Sequence, residues 1–215
     1  MPDAWVRWWA GEGATFQVPG AAQAQTALKN RTKKDRGGTT TLPEDFYEIE
    51  VESERVVFVL DTSGSMRLAV KTIGTIEKTR MAVAKEQLTR VVRSLPEGTL
   101  FNVIFFEQTV KALSRKTLEM NKSNRAKALR FVHDQYAIGS TALYPALELA
   151  FADPLVDTVY LLSDGAPTEG EITDIEEIRA EVARWNAARH VTIPGISMGQ
   201  DSTLLGWLCE DTGGT

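Results

Sequence analysis

The chain has 215 residues and 43% of them are hydrophobic, enough for one sizeable core with sequence to spare. A net charge of −5 argues against nucleic acid as the main partner, and the single cysteine, Cys209, excludes an internal disulfide. No apolar run reaches the length of a membrane span, and Met1-Pro2-Asp3-Ala4-Trp5 lacks a basic-then-apolar signal, so the expected location is cytoplasmic.

Residues 1–42 read as a short aromatic helix followed by a flexible linker, and 43–215 as a domain. Trp5, Trp8 and Trp9 fall on one face of a helix too short to stand alone in water, so those rings need a docking surface. Gly/Ala/Gln-rich sequence, the basic run Lys29 to Arg36 and Gly37-Gly38-Thr39-Thr40-Thr41 follow, as expected of a solvated linker.

From there strands alternate with helices. Phe46–Val51 alternates apolar and polar residues, as a half-exposed strand does. Arg55-Val-Val-Phe-Val-Leu60 reads as a strand buried on both faces. Glu77–Leu95 carries Met81, Ala84, Leu88, Val91, Val92 and Leu95 at helical spacing. Leu100–Phe106 is a strand, Thr109–Leu113 a short edge strand paired to it, and Ser123–Asp134 a helix. Ala142–Phe151 is a helix with Pro145 tolerated in its first turn. Val159–Leu162 is a second buried strand. Thr173-Asp174-Ile175-Glu176 is a capping box opening a helix with Ile175, Ile178, Val182 and Trp185 on one face. Val191–Ser197 is a strand, at an edge because it contains Pro194, and Thr203–Asp211 the last helix. The predicted fold is α/β, Rossmann-like and doubly wound. Its sheet is mostly parallel, with one short antiparallel edge strand and helices on both faces.

The chemistry concentrates at strand ends. Directly after Leu60 come Asp61-Thr62-Ser63-Gly64-Ser65-Met66, a carboxylate and two hydroxyls at alternate positions around a glycine turn. Oxygen ligands converging at the carboxyl end of a buried strand suit a small hard cation. Gly139-Ser140-Thr141 offers another hydroxyl at the start of an apolar helix, and Ser163-Asp164-Gly165 a second carboxylate after the second buried strand.

Asp61, Ser63 and Ser65, Thr141 in a Gly-containing loop, and Asp164 before Gly165 resemble the metal-ion-dependent adhesion site of the von Willebrand factor A domain family, bacterial type. The resemblance covers roughly residues 52–215 with all five positions present. It implies a Mg2+ ion, with Mn2+ or Ca2+ as alternatives, at the carboxyl edge of the sheet. It further implies a protein partner whose Asp or Glu completes the coordination, and no enzymatic activity. On this reading Ser63 and Ser65 bind the ion directly, with Thr141 joining in the ligand-bound state. Asp61 and Asp164 orient the hydroxyls or act through water. The aromatic tail weakly resembles the end of a preceding helical domain in larger bacterial proteins. Family members usually continue past a Thr-Gly-Gly-like turn into one more strand and helix. This sequence ends at Gly213-Gly214-Thr215, so either the sheet lacks its last strand or the sequence is cut there.

The rival reading is a Mg2+-dependent hydrolase or phosphatase using Asp61. Such chemistry normally wants an acid two residues on, where this chain has Ser63, and a positioned lysine, for which Lys71 and Lys78 are near in sequence only. His133 and His190 are expected to face solvent or cap elements away from the site. Tyr144 is assigned either to the rim or to the core, and Cys209 to a small buried apolar role.

Overall fold

In the computed structural model, which describes residues 51, 53–71, 77–198 and 202–214, the apolar run after Arg55 is strand β1 (Arg55–Asp61). It lies at the centre of the main sheet. On one side it pairs in parallel with β4 (Leu100–Phe106), with Arg55 opposite Leu100 and Asp61 opposite Phe106. On the other it pairs in parallel with β7 (Thr158–Ser163), which pairs in parallel with β8 (Gly195–Ser197). β5 (Val110–Ala112) and β6 (Leu118–Glu119) both run antiparallel to β4. The strand order is β5-β4-β1-β7-β8, and the carboxyl ends of β4, β1, β7 and β8 share one edge.

Alternation along β1 divides the core. Val56, Phe58 and Leu60 pack with helices α1 (Arg80–Ser94) and α2 (Lys122–His133). Val57 and Val59 pack with α3 (Leu143–Phe151), α4 (Ile175–Asn186) and α5 (Thr203–Thr212). The predicted doubly wound α/β fold is therefore what forms: each central strand is covered on both faces, which is why it is apolar at nearly every position. Each fully buried Val, Leu or Phe contributes roughly 1.5–3 kcal/mol.

Several expected boundaries are corrected. Glu77–Thr79 is not helical. It is β3, paired antiparallel with β2 (Ala69–Lys71) in a small separate ribbon. Helix α1 starts only at Arg80, because Thr79 is extended and its hydroxyl accepts the Ala82 N–H at 3.1 Å as N-cap. The cap of α4 is Asp174 rather than Thr173, and its Oδ1 accepts the Glu176 and Glu177 N–H groups. Two antiparallel strands flank β4 where one was expected, β6 being too short to show alternation.

The strand expected over 191–197 is regular only at Gly195–Ser197. Val159 and Leu161 still donate to the Thr192 and Pro194 carbonyls, both at 2.9 Å. In a parallel ladder residue 194 would in turn donate to the Val159 carbonyl, and proline has no N–H. Among the described residues β8 is an edge, as Pro194 suggested. Gly195 lets α5 sit close on it: a Cβ there would lie 2.5 Å from Cys209 Sγ and 2.7 Å from Leu205. The helix expected around Trp5, Trp8 and Trp9, the linker and the strand over 46–50 lie outside the described residues. Val51 belongs to no element.

Candidate metal centre

Asp61 is the last residue of β1 and is 0% exposed. The next residue, Thr62, gives both its N–H (2.8 Å) and its hydroxyl (3.0 Å) to the Phe106 carbonyl, which ends the pairing with β4. The chain then folds over the Asp61 carboxylate. Oδ1 accepts the Ser63 N–H at 2.7 Å, and Oδ2 accepts the Ser163 hydroxyl from the end of β7 at 2.8 Å. A short 3-10 turn, Gly64–Arg67, follows and brings the Ser65 hydroxyl to 3.0 Å from that of Ser63.

Ser65 in turn donates to Asp164 Oδ1 at 2.6 Å. The other Asp164 oxygen accepts Arg80 NH1 at 2.7 Å, in an ion pair whose side chains are 6% and 0% exposed. Arg80 is brought there by α1, whose first N–H binds the Leu68 carbonyl just after the 3-10 turn.

A third loop is clipped to the first. Gly64 N–H donates to the Gly139 carbonyl at 2.9 Å and Ile138 N–H to the Thr62 carbonyl at 2.8 Å. The contact needs glycine twice. A Cβ on Gly64 would press within 3.2 Å of the Gly139 carbonyl, and Gly139 has φ +80° with Glu107 Oε2 2.8 Å from where its Cβ would be. Thr141, two residues on, is held by its backbone: its N–H donates to the Thr168 hydroxyl and its carbonyl accepts the Thr168 N–H. The Ser140 hydroxyl bonds Glu169.

Burial pushes the Asp61 carboxyl above its ordinary range, and the nearby Asp164 charge adds to this, against hydrogen bonds from Ser63 and Ser163. Two carboxylates and one guanidinium leave the site with a net charge of about −1. Among the described residues no three carboxylate, imidazole or thiol groups gather as a cage, so the donor set is hydroxyl-rich. It fits a small octahedral ion, in which two neighbouring ligands on bonds of 2.0–2.1 Å stand about 2.9 Å apart. The Ser63 and Ser65 oxygens share a hydrogen bond at 3.0 Å, a separation compatible with such a ligand pair.

A model of the von Willebrand factor type A domain matches residues 54–215, most of the chain. The chain belongs to this family. It is 29% identical over 161 residues to human von Willebrand factor A domain-containing protein 5A, covering 74% of this chain and 20% of that protein. It thus spans about a fifth of that relative's length. Among solved structures, a von Willebrand factor type A protein from Catenulispora acidiphila superposes with a TM-score of 0.50 at 23% identity, over 74% of this chain and 41% of that one. Proximal thread matrix protein 1 from the mussel byssus, solved with a zinc-occupied metal-ion-dependent adhesion motif, gives 0.53 at 19% identity, over 75% and 42%. These likenesses show the fold. As a class, von Willebrand factor A domains are metal-dependent protein-interaction modules.

In this domain four of the five predicted residues, Asp61, Ser63, Ser65 and Asp164, join through hydrogen bonds. The fifth, Thr141, stands on the clipped loop, and among the described residues no hydrogen bond links its hydroxyl to the other four. Sequence reasoning missed Arg80, Ser163 and Thr168. Ser163 stood beside Asp164, with its exposure to the site set by strand register. Arg80 carried no signal in the sequence, because the helix was expected to open at Glu77; only with α1 starting at Arg80 does it stand as a cation in a first turn without an acid.

Lys78 and the two histidines weighed for hydrolysis fall elsewhere. Lys78 pairs with Glu86 at 2.5 Å. His133 ends α2 beside Asp134, and His190 lies exposed after α4. Tyr144 is buried, its ring 5.5 Å from that of Trp185, so it belongs to the core rather than the rim. Cys209 is half-buried against β8.

Proposed function

We propose that this domain binds one Mg2+ or Mn2+ ion at the carboxyl edge of β1 and β7 and uses it to grip an Asp or Glu of a protein partner. Ser63 and Ser65 would hold the ion directly and Thr141 would join when the partner is bound. Asp61 and Asp164 would act as acceptors that aim the hydroxyls. The observation that carries this reading is the pair of serine hydroxyls 3.0 Å apart, with Ser65 donating its hydroxyl to buried Asp164 and Ser63 held by its backbone N–H on buried Asp61.

The physical logic is one of under-neutralisation. Neutral hydroxyls leave most of the ion's +2 charge unmatched, so a bound ion supplies a Lewis-acidic position that an external carboxylate can fill. Asp61 cannot easily leave its post, because Ser63 N–H and the Ser163 hydroxyl occupy both of its oxygens. The zinc-occupied motif of the mussel protein supports divalent binding as such, and the bacterial neighbour supports a bacterial type. A binding module fits better than a hydrolase, because no lysine or histidine stands at the Asp61 carboxylate among the described residues. Residues 1–42 would then dock an aromatic helix through Trp5, Trp8 and Trp9, joined by a linker.

Calorimetric titration with Mg2+ and Mn2+ tests the reading. Wild type should bind one ion and Asp61→Ala none, with the fold retained. Equal affinity in the two proteins would refute it. Capture of a partner should then disappear with EDTA.

A further inference from the structure

Arg80 is a buried cation beside a site meant for cations. It opens α1, where a positive charge opposes the helix dipole, and no acidic residue in that turn compensates it. Its side chain is 6% exposed, and its Nε has no hydrogen-bond partner among the described residues. Helix formation therefore gives no reason for its position. What it faces does: NH1 lies 2.7 Å from Asp164 Oδ2, while Asp164 Oδ1 is taken by the Ser65 hydroxyl at 2.6 Å. Neither oxygen of Asp164 is left over.

We propose that Arg80 is a positioning residue that holds Asp164 off the metal, so that the ion stays short of anionic ligands and open to a partner's carboxylate. The inference rests on the metal-binding reading above. The guanidinium gives Asp164 a fixed, charge-assisted partner that a turn toward the ion would break. It also halves the negative charge around the hydroxyls. Ion affinity is thereby lowered, and the electrophilicity of whatever ion binds is kept. Without Arg80, Asp164 would have one oxygen and one uncompensated charge to offer, and the most favourable place for both is the ion.

The test uses Mn2+ with the full chain, reading affinity by electron paramagnetic resonance and the number of coordinated waters by water-proton relaxation. Wild type should bind Mn2+ and keep several waters. Arg80→Met should bind Mn2+ more tightly, by about tenfold, with one water fewer, because Asp164 takes its place. Arg80→Lys, which keeps the charge, should stay near wild type in both readings and provides the comparison if Arg80→Met fails to fold. Asp164→Asn in the wild-type background should weaken binding without changing the water count. Four outcomes would overturn the proposal: unchanged affinity and hydration in Arg80→Met; affinity lost in parallel with its melting temperature; a loss of one water in Arg80→Lys; or a gain of one water in Asp164→Asn. If wild type bound no Mn2+ at all, the metal-binding reading itself would fall, a result distinct from failure at Arg80 alone.

Discussion

The two ends of the same pair of strands carry the same chemistry in different surroundings. Where β1 begins, Arg55 pairs with Asp157 at 2.9 Å, the side chains 53% and 36% exposed. Beyond the far end of β7, Arg80 pairs with Asp164 at 2.7 Å, almost wholly buried. Buried aspartates differ in the same way. At the amino edge Asp153 accepts backbone N–H groups of Thr117 (2.7 Å) and Leu155 (3.1 Å). Burial alone would raise its pKa, but these bonds outweigh burial and hold the carboxyl below its ordinary value. At the carboxyl edge Asp61 accepts one backbone N–H, from Ser63, and one hydroxyl, from Ser163, and burial wins. Backbone donors cannot turn away, so the amino edge is structure. A hydroxyl can rotate and present a lone pair to a cation, so the carboxyl edge can change partner.

The comparison is sharpest where it predicts unequal costs for equal substitutions. Arg80→Met should destabilise the metal-free protein by about 3–5 kcal/mol, because it strands a buried carboxylate. Denaturant unfolding measures this, and a loss below about 1 kcal/mol would mean that the pair behaves like a surface one. Mg2+ at 100 times its dissociation constant should stabilise wild type by about 2.7 kcal/mol and Asp61→Ala by nothing, read as a melting-temperature shift reversed by EDTA. EDTA alone should leave the protein folded, because its core, unlike that of a small metal-dependent fold, is apolar and does not include the site.

At the amino edge Asp153→Asn should cost about 1–3 kcal/mol at neutral pH through weakened acceptance of two buried N–H groups. Its folded pKa lies below the unfolded 3.8, so its charge contributes stability that is present above that value and lost as pH falls through the folded pKa. Unfolding curves of wild type and variant should therefore converge in acid, and a gap that widened there would reverse the assignment. Arg55→Met should cost the least, under about 1 kcal/mol and less still in high salt.

Much of this contrast could be read before any fold was seen. β1, β4 and β7 are long apolar runs because a central parallel strand is buried twice, and that burden marks composition unmistakably. Asp61, Ser63, Ser65 and Asp164 were legible for a related reason: a strand whose register is pinned by its core delivers the residues after it to a known edge. Glu77–Thr79 misled because three residues of ribbon leave no period to detect, and the helical spacing behind them extends smoothly into Glu77. β6 and the gap before Gly195 depend on pairing partners far away in the sequence, as does the ladder bond that Pro194 lacks.

The amino-acid sequence by itself determined which residues are inside, how strands and helices alternate, and that oxygen-rich loops meet at the carboxyl edge. Each of these follows from local patterning, apolar spacing and turn chemistry. Only the tertiary structure decided which carboxylate meets which donor. Arg80 and Asp164 are 84 residues apart and Ser163 and Asp61 102 apart, and no local pattern links either pair. Parallel pairing of β1 with β7 and the docking of α1 bring them together. Burial then makes these contacts count, because a charge pair removed from water has few alternatives, and one left at the surface has many.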